Sequence, residues 1–391
     1  MGILAASASV CHFQITGSLP DGTSPEKITA QLNSQGFKSI EQSAEEISIG
    51  WVTLDDPDCG EFAHPGVFQR DQYLCFSLRQ DRRRIPAALY KRQVNHLGEQ
   101  FLNNNPTLKR VPKGELEDIR DRARSLLMAR TLPSPSIYDV CWDTEKNLIR
   151  FSSLGQKMVE TFMGLFHQTF PTLRLSLYHP MARAGQIVPD TLQADLQKSN
   201  RAQTDSAIEQ IDANRWLGNE FLHWLLYRTL NSDSRYTVSQ PGPLLHQDPF
   251  LAYLDDRLLL VGGGQEGQQK IVVAGPQDSY REVKAALLQG KLIEEATLHM
   301  QRDDESAWKL TLKAERFYFG SYRTPMIKPD SDPTDDPAAE AEAAFFTKIA
   351  AIEEGEQMFD SLLQGFLYLR LSDAWQDELE VMGKWLQDDS A

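Results

Sequence analysis

Apolar and polar residues alternate along several short segments in the first half of the chain, as they do in strands that bury one face of a sheet. Other segments carry apolar residues at helical spacing: after Pro86, Tyr90, Val94, Leu97 and Phe101 fall at i, i+4, i+7 and i+11. The strands predicted in this way are Val10–Thr16, Ile47–Leu54, Gln72–Leu78, Ile137–Trp142 and Leu148–Ser152, and helices are predicted to begin at Pro25, at Pro86, after Gly114 and near Leu154. Paired strands with helices on one face predict the α+β class, with mixed or antiparallel sheets.

The pattern changes in the second half of the chain. Pro180–Ala213 is polar and without a clear period, so we predict an irregular connection there, followed by an apolar helix over Leu217–Tyr227. The later predicted elements are the hairpins Leu258–Val261 with Lys270–Val273 and Leu292–Met300 with Trp308–Ala314, a helix over Asp278–Leu288, an acidic proline-rich linker over Pro329–Pro337, and amphipathic helices over Glu340–Leu386. These changes predict an N-terminal α+β region over 1–175, a second α+β region over 176–328, and an acidic linker with a C-terminal helical extension over 329–391.

Charge is distributed unevenly along the 391 residues, which carry a formal net charge of -15. The segment Arg79–Arg130, called the basic band below, holds 13 Lys/Arg and 6 Asp/Glu and so has a balance of +7. A basic band in an otherwise acidic chain is typical of a protein that attracts a polyanion to one surface. Charge alone leaves open the alternative of two solvated, arginine-rich helices.

Residue patterns that would indicate catalysis are missing from the sequence. Gly262–Gly264 leads into a strand rather than a helix, which indicates a hairpin turn and not a phosphate-binding loop. The acidic pairs Asp255–Asp256 and Asp335–Asp336 lack the lysine and further carboxylate that metal-assisted phosphodiester cleavage uses. We therefore predict no enzyme, no cofactor and no metal site.

Two further observations bear on the compartment in which the protein works. The four cysteines are widely scattered, which favours reduced thiols in a reducing compartment. No apolar run approaches the ~20 residues of a membrane span, and Met1–Cys11 is interpreted as the lead-in to the first strand rather than a leader. We expect a cytoplasmic protein with no membrane partner.

The basic band supplies the candidate binding site. Arginine and lysine in loops and on outward helix faces suit contacts with phosphates, which position a protein on a duplex without reading its sequence. The predicted DNA-binding residues are Arg82, Arg83, Arg84, Lys91, Arg92, Lys109, Arg110, Lys113, Arg120, Arg122, Arg124 and Arg130. Since no zinc finger, basic zipper or aromatic stacking platform is evident in the sequence, duplex binding without sequence preference is the natural interpretation.

Several short motifs resemble the bacterial recombination-associated protein RdgC family. They are Gly50-Trp51-Val52, Arg79-Gln80-Asp81, Arg84-Ile85-Pro86, Ser125-Leu126-Leu127, Val140-Cys141-Trp142-Asp143, Leu148-Ile149 and Gly290-Lys291. The resemblance covers most of Val10–Phe170 and again roughly Asp278–Phe319, as a pattern of elements and spacing. It implies a non-enzymatic protein that binds double-stranded DNA, an elongated or horseshoe-shaped chain of several subdomains, and a closed ring dimer with a basic central hole. The chain departs from the family pattern in its longer middle and its acidic C-terminal helices.

From these observations we expect a homodimeric, nucleoid-associated protein that binds double-stranded DNA and modulates homologous recombination by limiting RecA-type strand exchange. The resemblance also implies a RecA-type recombinase as the protein affected. An alternative stays open. From Pro329 onwards the chain has 16 Asp/Glu and 3 Lys/Arg, so these helices could instead bind, or mimic DNA toward, a recombinase or nuclease.

Overall fold

The computed structural model describes residues 2–17, 24–43, 45–264, 267–275, 280–326 and 336–388. Within them the chain belongs to the α+β class, as predicted, with thirteen strands and eleven α-helices. The strands are β1 (Ala8–Thr16), β2 (Ile47–Thr53), β3 (Gln69–Arg70), β4 (Tyr73–Arg82), β5 (Ser134–Asp143), β6 (Leu148–Phe151), β7 (Arg174–Leu177), β8 (Arg235–Thr237), β9 (Pro249–Gly264), β10 (Gly267–Ala274), β11 (Leu292–Gln301), β12 (Ala307–Lys313) and β13 (Tyr318–Arg323). The helices are α1 (Pro25–Ser34), α2 (Ala87–Asn104), α3 (Lys113–Met128), α4 (Gln156–Thr169), α5 (Pro180–Ile187), α6 (Asp190–Ser199), α7 (Ala207–Ala213), α8 (Arg215–Asn231), α9 (Arg281–Leu288), α10 (Pro337–Arg370) and α11 (Trp375–Gln387).

The elements form two compact units, each built from separated segments of the chain. The first unit consists of Met1–Thr16, Glu145–Val159 and Arg174–Ala391, and the second consists of Gly17–Thr144 and Glu160–Leu173. The three consecutive regions proposed from the sequence stay a prediction. None of the described helices is both long enough and apolar enough to cross a membrane.

An antiparallel sheet and the long helix α10 form the core of the first unit. The strand order is β10-β9-β11-β12-β13-β1-β6, with β8 paired to β9 and β7 paired to β1. The indole of Trp308 on β12 donates a hydrogen bond to the carbonyl of Ala351 (2.6 Å), and the hydroxyl of Tyr322 on β13 donates one to that of Ile352 (3.0 Å). The apolar residues that make α10 amphipathic are all buried: Phe345, Ile349, Ile352, Phe359, Leu363, Phe366 and Leu367. The C-terminal helix is therefore an integral part of this unit.

Several carboxylates of α10 lie inside the protein rather than on an acidic surface. The side chain of Arg150 on β6 is 1% exposed, and its Nη2 donates to Glu356 (2.7 Å) and to Glu353 (3.1 Å). His12 Nε2 lies 2.7 Å from the other Glu356 oxygen. Burial alone raises the pKa of Glu356, but the charges of Arg150 and His12 outweigh burial and hold that pKa well below its usual range. Asp360, one helical turn further along α10, pairs with the buried Arg183 of α5, but there burial outweighs the charge of Arg183 and raises the pKa of Asp360.

The second unit has a smaller antiparallel sheet, in the order β5-β4-β2, with β3 paired to β4. Trp51 on β2 is fully buried, and its indole donates to the hydroxyl of Thr169 (2.7 Å). Its glycine neighbour, Gly50, is required by packing, because a Cβ there would lie 2.5 Å from the backbone of Phe37. The ring of Phe162 on α4 packs edge-on against Trp51. This aromatic core supports β4, the strand from which the basic band begins.

The structure corrects the prediction for Pro180–Ala213. This segment is not irregular, because it holds the three short helices α5, α6 and α7. Pro180 is the first residue of α5, and the His179 ring accepts a hydrogen bond from the Ala182 amide (3.4 Å), while Pro189 precedes α6. A proline therefore marks the start of α5 and of α6, and a capping side chain that of α5, where no long apolar period does.

The other predicted elements are present with shifted ends. The strand predicted to stop at Leu78 runs four residues further, to Arg82. Gly262–Gly264 ends β9, which pairs with β10 as the predicted hairpin. Parts of two predictions, namely the start of the helix at Asp278 and the linker Pro329–Asp335, lie outside the described residues.

Candidate nucleic-acid interface

The basic band begins with residues that serve the interior of the second unit. On β4, Arg79 donates to the Asp81 carboxylate through Nε (2.8 Å) and Nη2 (3.0 Å) and also pairs with Asp58. Its guanidinium lies 4.4 Å from the centre of the Phe37 ring. Burial opposes the charged form, but the bonds to Asp81 and Asp58 raise the pKa of Arg79. Arg79 is therefore a buried cation held by the buried carboxylate of Asp81 and by the exposed carboxylate of Asp58.

The three consecutive arginines that follow have different surroundings. Arg84 is exposed and Arg82 is half-buried, whereas Arg83 is only 3% exposed. The Arg83 guanidinium donates to three backbone carbonyls, those of Ile40 (2.6 Å), Glu41 (3.0 Å) and Met128 (3.1 Å). Arg83 thus ties the end of β4 to the segment before β2 and to the last turn of α3. Its Nη donors are used inside the protein, and a contact between Arg83 and DNA phosphates stays a prediction.

The helical hairpin α2–α3 presents most of the remaining cations. Its small core contains Leu97 from α2 and Ile119 and Ala123 from α3, with Tyr90, Val94 and Phe101 packed against it, as the helical spacing predicted. Helical spacing also predicts Leu126 on the inner face of α3, but Leu126 is 37% exposed. The cations exposed on or beside this hairpin are Arg84, Lys91, Arg92, Lys109, Arg110, Lys113, Arg120, Arg122, Arg124 and Arg130.

These exposed cations are largely unpaired. Among the residues the structure describes, only Arg124 of this set lies within salt-bridge distance of a carboxylate, that of Glu46 (3.1 Å). Both side chains of that pair are well exposed, so the pair contributes little stability, about 0–1 kcal/mol. The same segment also exposes Glu99, Glu115, Glu117, Asp118 and Asp121, and the balance of +7 in the basic band leaves an excess of positive charge in an otherwise acidic chain. Such a surface suits contacts with a polyphosphate backbone.

A cleft of about 600 Å³ opens at the base of this hairpin, within the second unit. It is lined by Glu46, Arg82, Arg83, Arg84, Ile85, Ala87, Tyr90, Arg124 and Met128. The sequence did not identify Glu46 as a residue of this site, and it assigned Tyr90 only to the apolar stripe of α2, not to the lining of a cleft. The contribution of Glu46 comes from a long-range contact with Arg124, 78 residues away in the chain, for which the sequence has no local signal.

The acidic pairs considered in the sequence as possible metal ligands do not form a metal site among the described residues. Asp256 has a backbone φ of 65° and pairs with Lys309 and with His299 (3.0 Å), and the bonds from these two side chains lower its pKa. Asp335 lies outside the described residues. Within the described ranges, no three His, Cys, Asp or Glu side chains come together where they could hold a metal ion.

Comparison with known proteins agrees with the motifs noted in the sequence. The family described as "Putative exonuclease, RdgC" matches residues 9–213, which is slightly more than half of the chain. The match covers all of the second unit, including β4, the α2–α3 hairpin and the cleft. No curated protein was found to match the chain. The chain therefore belongs to the RdgC family of recombination-associated DNA-binding proteins.

Proposed function

We propose that this protein binds double-stranded DNA without sequence preference, through phosphate contacts made by the α2–α3 hairpin and the residues beside it. The observation that carries the proposal is the set of exposed, largely unpaired cations between Arg84 and Arg130 in a chain whose net charge is -15. Phosphate contacts from helix faces and loops give affinity and orientation but carry no information about base sequence. Binding of this kind would hold the protein at the nucleoid, in the cytoplasm.

We further propose that the protein acts by occupying DNA rather than by changing it. A RecA-type filament needs access to the homologous duplex, and a protein bound along that duplex limits strand exchange. Membership of the RdgC family supports the recombination context. Three carboxylates of the acidic C-terminal helices (Glu353, Glu356 and Asp360) are held in ion pairs within the first unit, which speaks against their use as a mimic of DNA.

A homodimer that closes into a ring is part of the proposal, on the basis of the family resemblance. A closed ring gives a specific expectation, because it loads over the ends of a linear duplex but has to open before it can load on a covalently closed circle. Measuring mass in solution, together with binding to linear and closed circular DNA of the same sequence, tests this part. A monomeric mass together with equal loading rates on the two forms would contradict it.

Strand exchange by a RecA-type recombinase tests the function as a whole. The unmodified protein should inhibit exchange in proportion to its coverage of the duplex, and a variant with Arg84, Lys109 and Arg110 changed to Ala should lose binding and inhibition together. Lys198→Ala is the matched control, because Lys198 is also an exposed cation but lies in the first unit. Inhibition that survives the triple variant would show that duplex occupancy is not the mechanism.

A further inference from the structure

The cleft at the base of the α2–α3 hairpin has the size of a small-molecule site. Its volume of about 600 Å³ falls inside the range of roughly 300–1,000 Å³ usual for ligand pockets. A flat row of cations is sufficient to contact the outer face of a duplex backbone. Contact with the duplex backbone does not use a pocket, so this cleft points to a ligand that enters it.

The lining of the cleft has a cationic part and an apolar part. Arg82, Arg84 and Arg124 supply guanidinium groups, which match the geometry of phosphate oxygens. Arg83 also lines the cleft, but its Nη atoms donate to backbone carbonyls, so the three other arginines are the ones available to a phosphate.

The rest of the lining is apolar or aromatic. Ile85, Ala87 and Met128 contribute aliphatic surface, and Tyr90 contributes a half-buried ring. Apolar side chains and an aromatic ring are what a protein uses to hold an unstacked base, because every base has an apolar face that can stack. Phosphate alone would gain nothing from them.

Glu46 completes the lining and holds Arg124 through an exposed ion pair (3.1 Å). The backbone of Glu46 is fixed beside the cleft, because its carbonyl accepts a hydrogen bond from the Arg83 amide (3.0 Å). Its carboxylate therefore occupies a guanidinium that a phosphate would also bind. An incoming phosphate has to displace it, so Glu46 weakens anion binding at this site.

We infer that the cleft binds one unpaired nucleotide of a DNA strand. Its phosphate is held by Arg82, Arg84 and Arg124, and its base lies against Tyr90 and Met128. The inference rests on the proposed function and extends it: contacts along the hairpin hold the duplex, and the cleft adds affinity where the duplex ends in, or opens into, a single strand.

Fluorescence anisotropy on the full-length protein tests this, with a blunt duplex and the same duplex carrying a short single-stranded tail. Tyr90→Leu keeps apolar volume and removes the ring, and should weaken binding of the tailed duplex about five-fold or more while leaving the blunt duplex unchanged. Glu46→Gln, an exposed and structurally mild change, should strengthen binding of the tailed duplex more than that of the blunt duplex, because Arg124 lines the cleft and also belongs to the exposed cations of the hairpin. Arg122→Ala is the matched control on α3: Arg122 is exposed and outside the cleft, so its removal should weaken both ligands alike.

Competition with small ligands identifies the group that is recognised. Deoxyadenosine monophosphate should displace the tailed duplex to the level of the blunt one at concentrations where inorganic phosphate and deoxyadenosine do not. The inference is overturned if Tyr90→Leu and Glu46→Gln change both duplexes equally, or change neither, while the blunt duplex still binds. Failure of the unmodified protein to bind the blunt duplex would instead overturn the proposed function.

Discussion

Arg83 and Arg84 are neighbours in the sequence, and the structure gives them opposite roles, which leads to a paired prediction. Arg83 is 3% exposed and donates to three backbone carbonyls, whereas Arg84 is exposed and has no carboxylate within salt-bridge distance among the described residues. Changing each to Met removes the charge and keeps a long apolar side chain. Arg83→Met should therefore affect stability, and Arg84→Met should affect DNA binding.

The magnitudes follow from these contacts. A hydrogen bond from a charged donor contributes about 1.5–3 kcal/mol, and the removal of Arg83 would leave the carbonyls of Ile40, Glu41 and Met128 without this donor. Because such contributions do not add in full, we expect Arg83→Met to lower the free energy of unfolding by about 3–4 kcal/mol. The Met128 carbonyl belongs to the last turn of α3, where a cation is also favoured by the helix dipole. Arg84→Met should change the free energy of unfolding by no more than about 0.5 kcal/mol.

Urea unfolding followed by tryptophan fluorescence measures the first effect, because Trp51 and Trp142 are buried in the same unit. A salt titration of duplex binding measures the second, and a variant that neutralises one phosphate fewer should have a slope of log K against log salt that is shallower by about 0.9. If Arg83→Met is as stable as the unmodified protein, or if Arg84→Met is destabilised as much as Arg83→Met, the assignment of the two residues is refuted.

Two further predictions concern the first unit. Glu356→Gln should lower the free energy of unfolding by about 3–5 kcal/mol, because it leaves the buried Arg150 without its main partner, and duplex affinity of the folded variant should be unchanged. A destabilisation below about 1 kcal/mol in urea would contradict an internal role for that carboxylate. Burial lowers the pKa of both His179 and His223 to about 4, so below the unfolded-state pKa of about 6.5 the unfolded chain binds protons that the folded protein does not. Stability should be fully present above about pH 6.5 and fall toward about pH 4, by about 2 kcal/mol for each histidine at about pH 5. Thermal unfolding across this range, with His223→Gln reducing the pH dependence, checks the sign; stability that rises on acidification would be inconsistent with neutral buried histidines.

The elements with a strong hydrophobic period were predictable from the sequence, and those specified by caps and packing were not. The stripe on α2 that includes Val94 and Leu97 was predicted and forms the core of the helical hairpin. The helices α5, α6 and α7 are only 7 to 10 residues long, and they follow His179, Pro189 and Ser206 without a long apolar period. Periodicity fails for such helices because their stability comes from contacts with other elements.

The location of the candidate site could be predicted from charge, but the roles of individual arginines could not. The predicted strand ends at Leu78, yet β4 continues to Arg82 and holds Arg79 and Asp81 in buried positions. Arg83 follows the strand and is buried by its bonds to the carbonyls of Ile40, Glu41 and Met128, which the sequence gives no means of predicting. No local pattern in the sequence predicts the ion pairs of Glu353 and Glu356, because their partner Arg150 lies about 200 residues away in the chain.

The salt dependence of duplex binding is the sharpest test of whether the α2–α3 hairpin holds DNA by its phosphates. The measurement compares the unmodified protein with the variant in which Arg84, Lys109 and Arg110 are changed to Ala, on several duplexes of unrelated sequence. We expect weaker binding of the variant to every duplex and a slope of log K against log salt that is shallower by about 0.9 for each phosphate that the variant no longer neutralises. An unchanged slope and affinity, or weaker binding confined to particular sequences, would contradict binding through phosphate contacts of the α2–α3 hairpin.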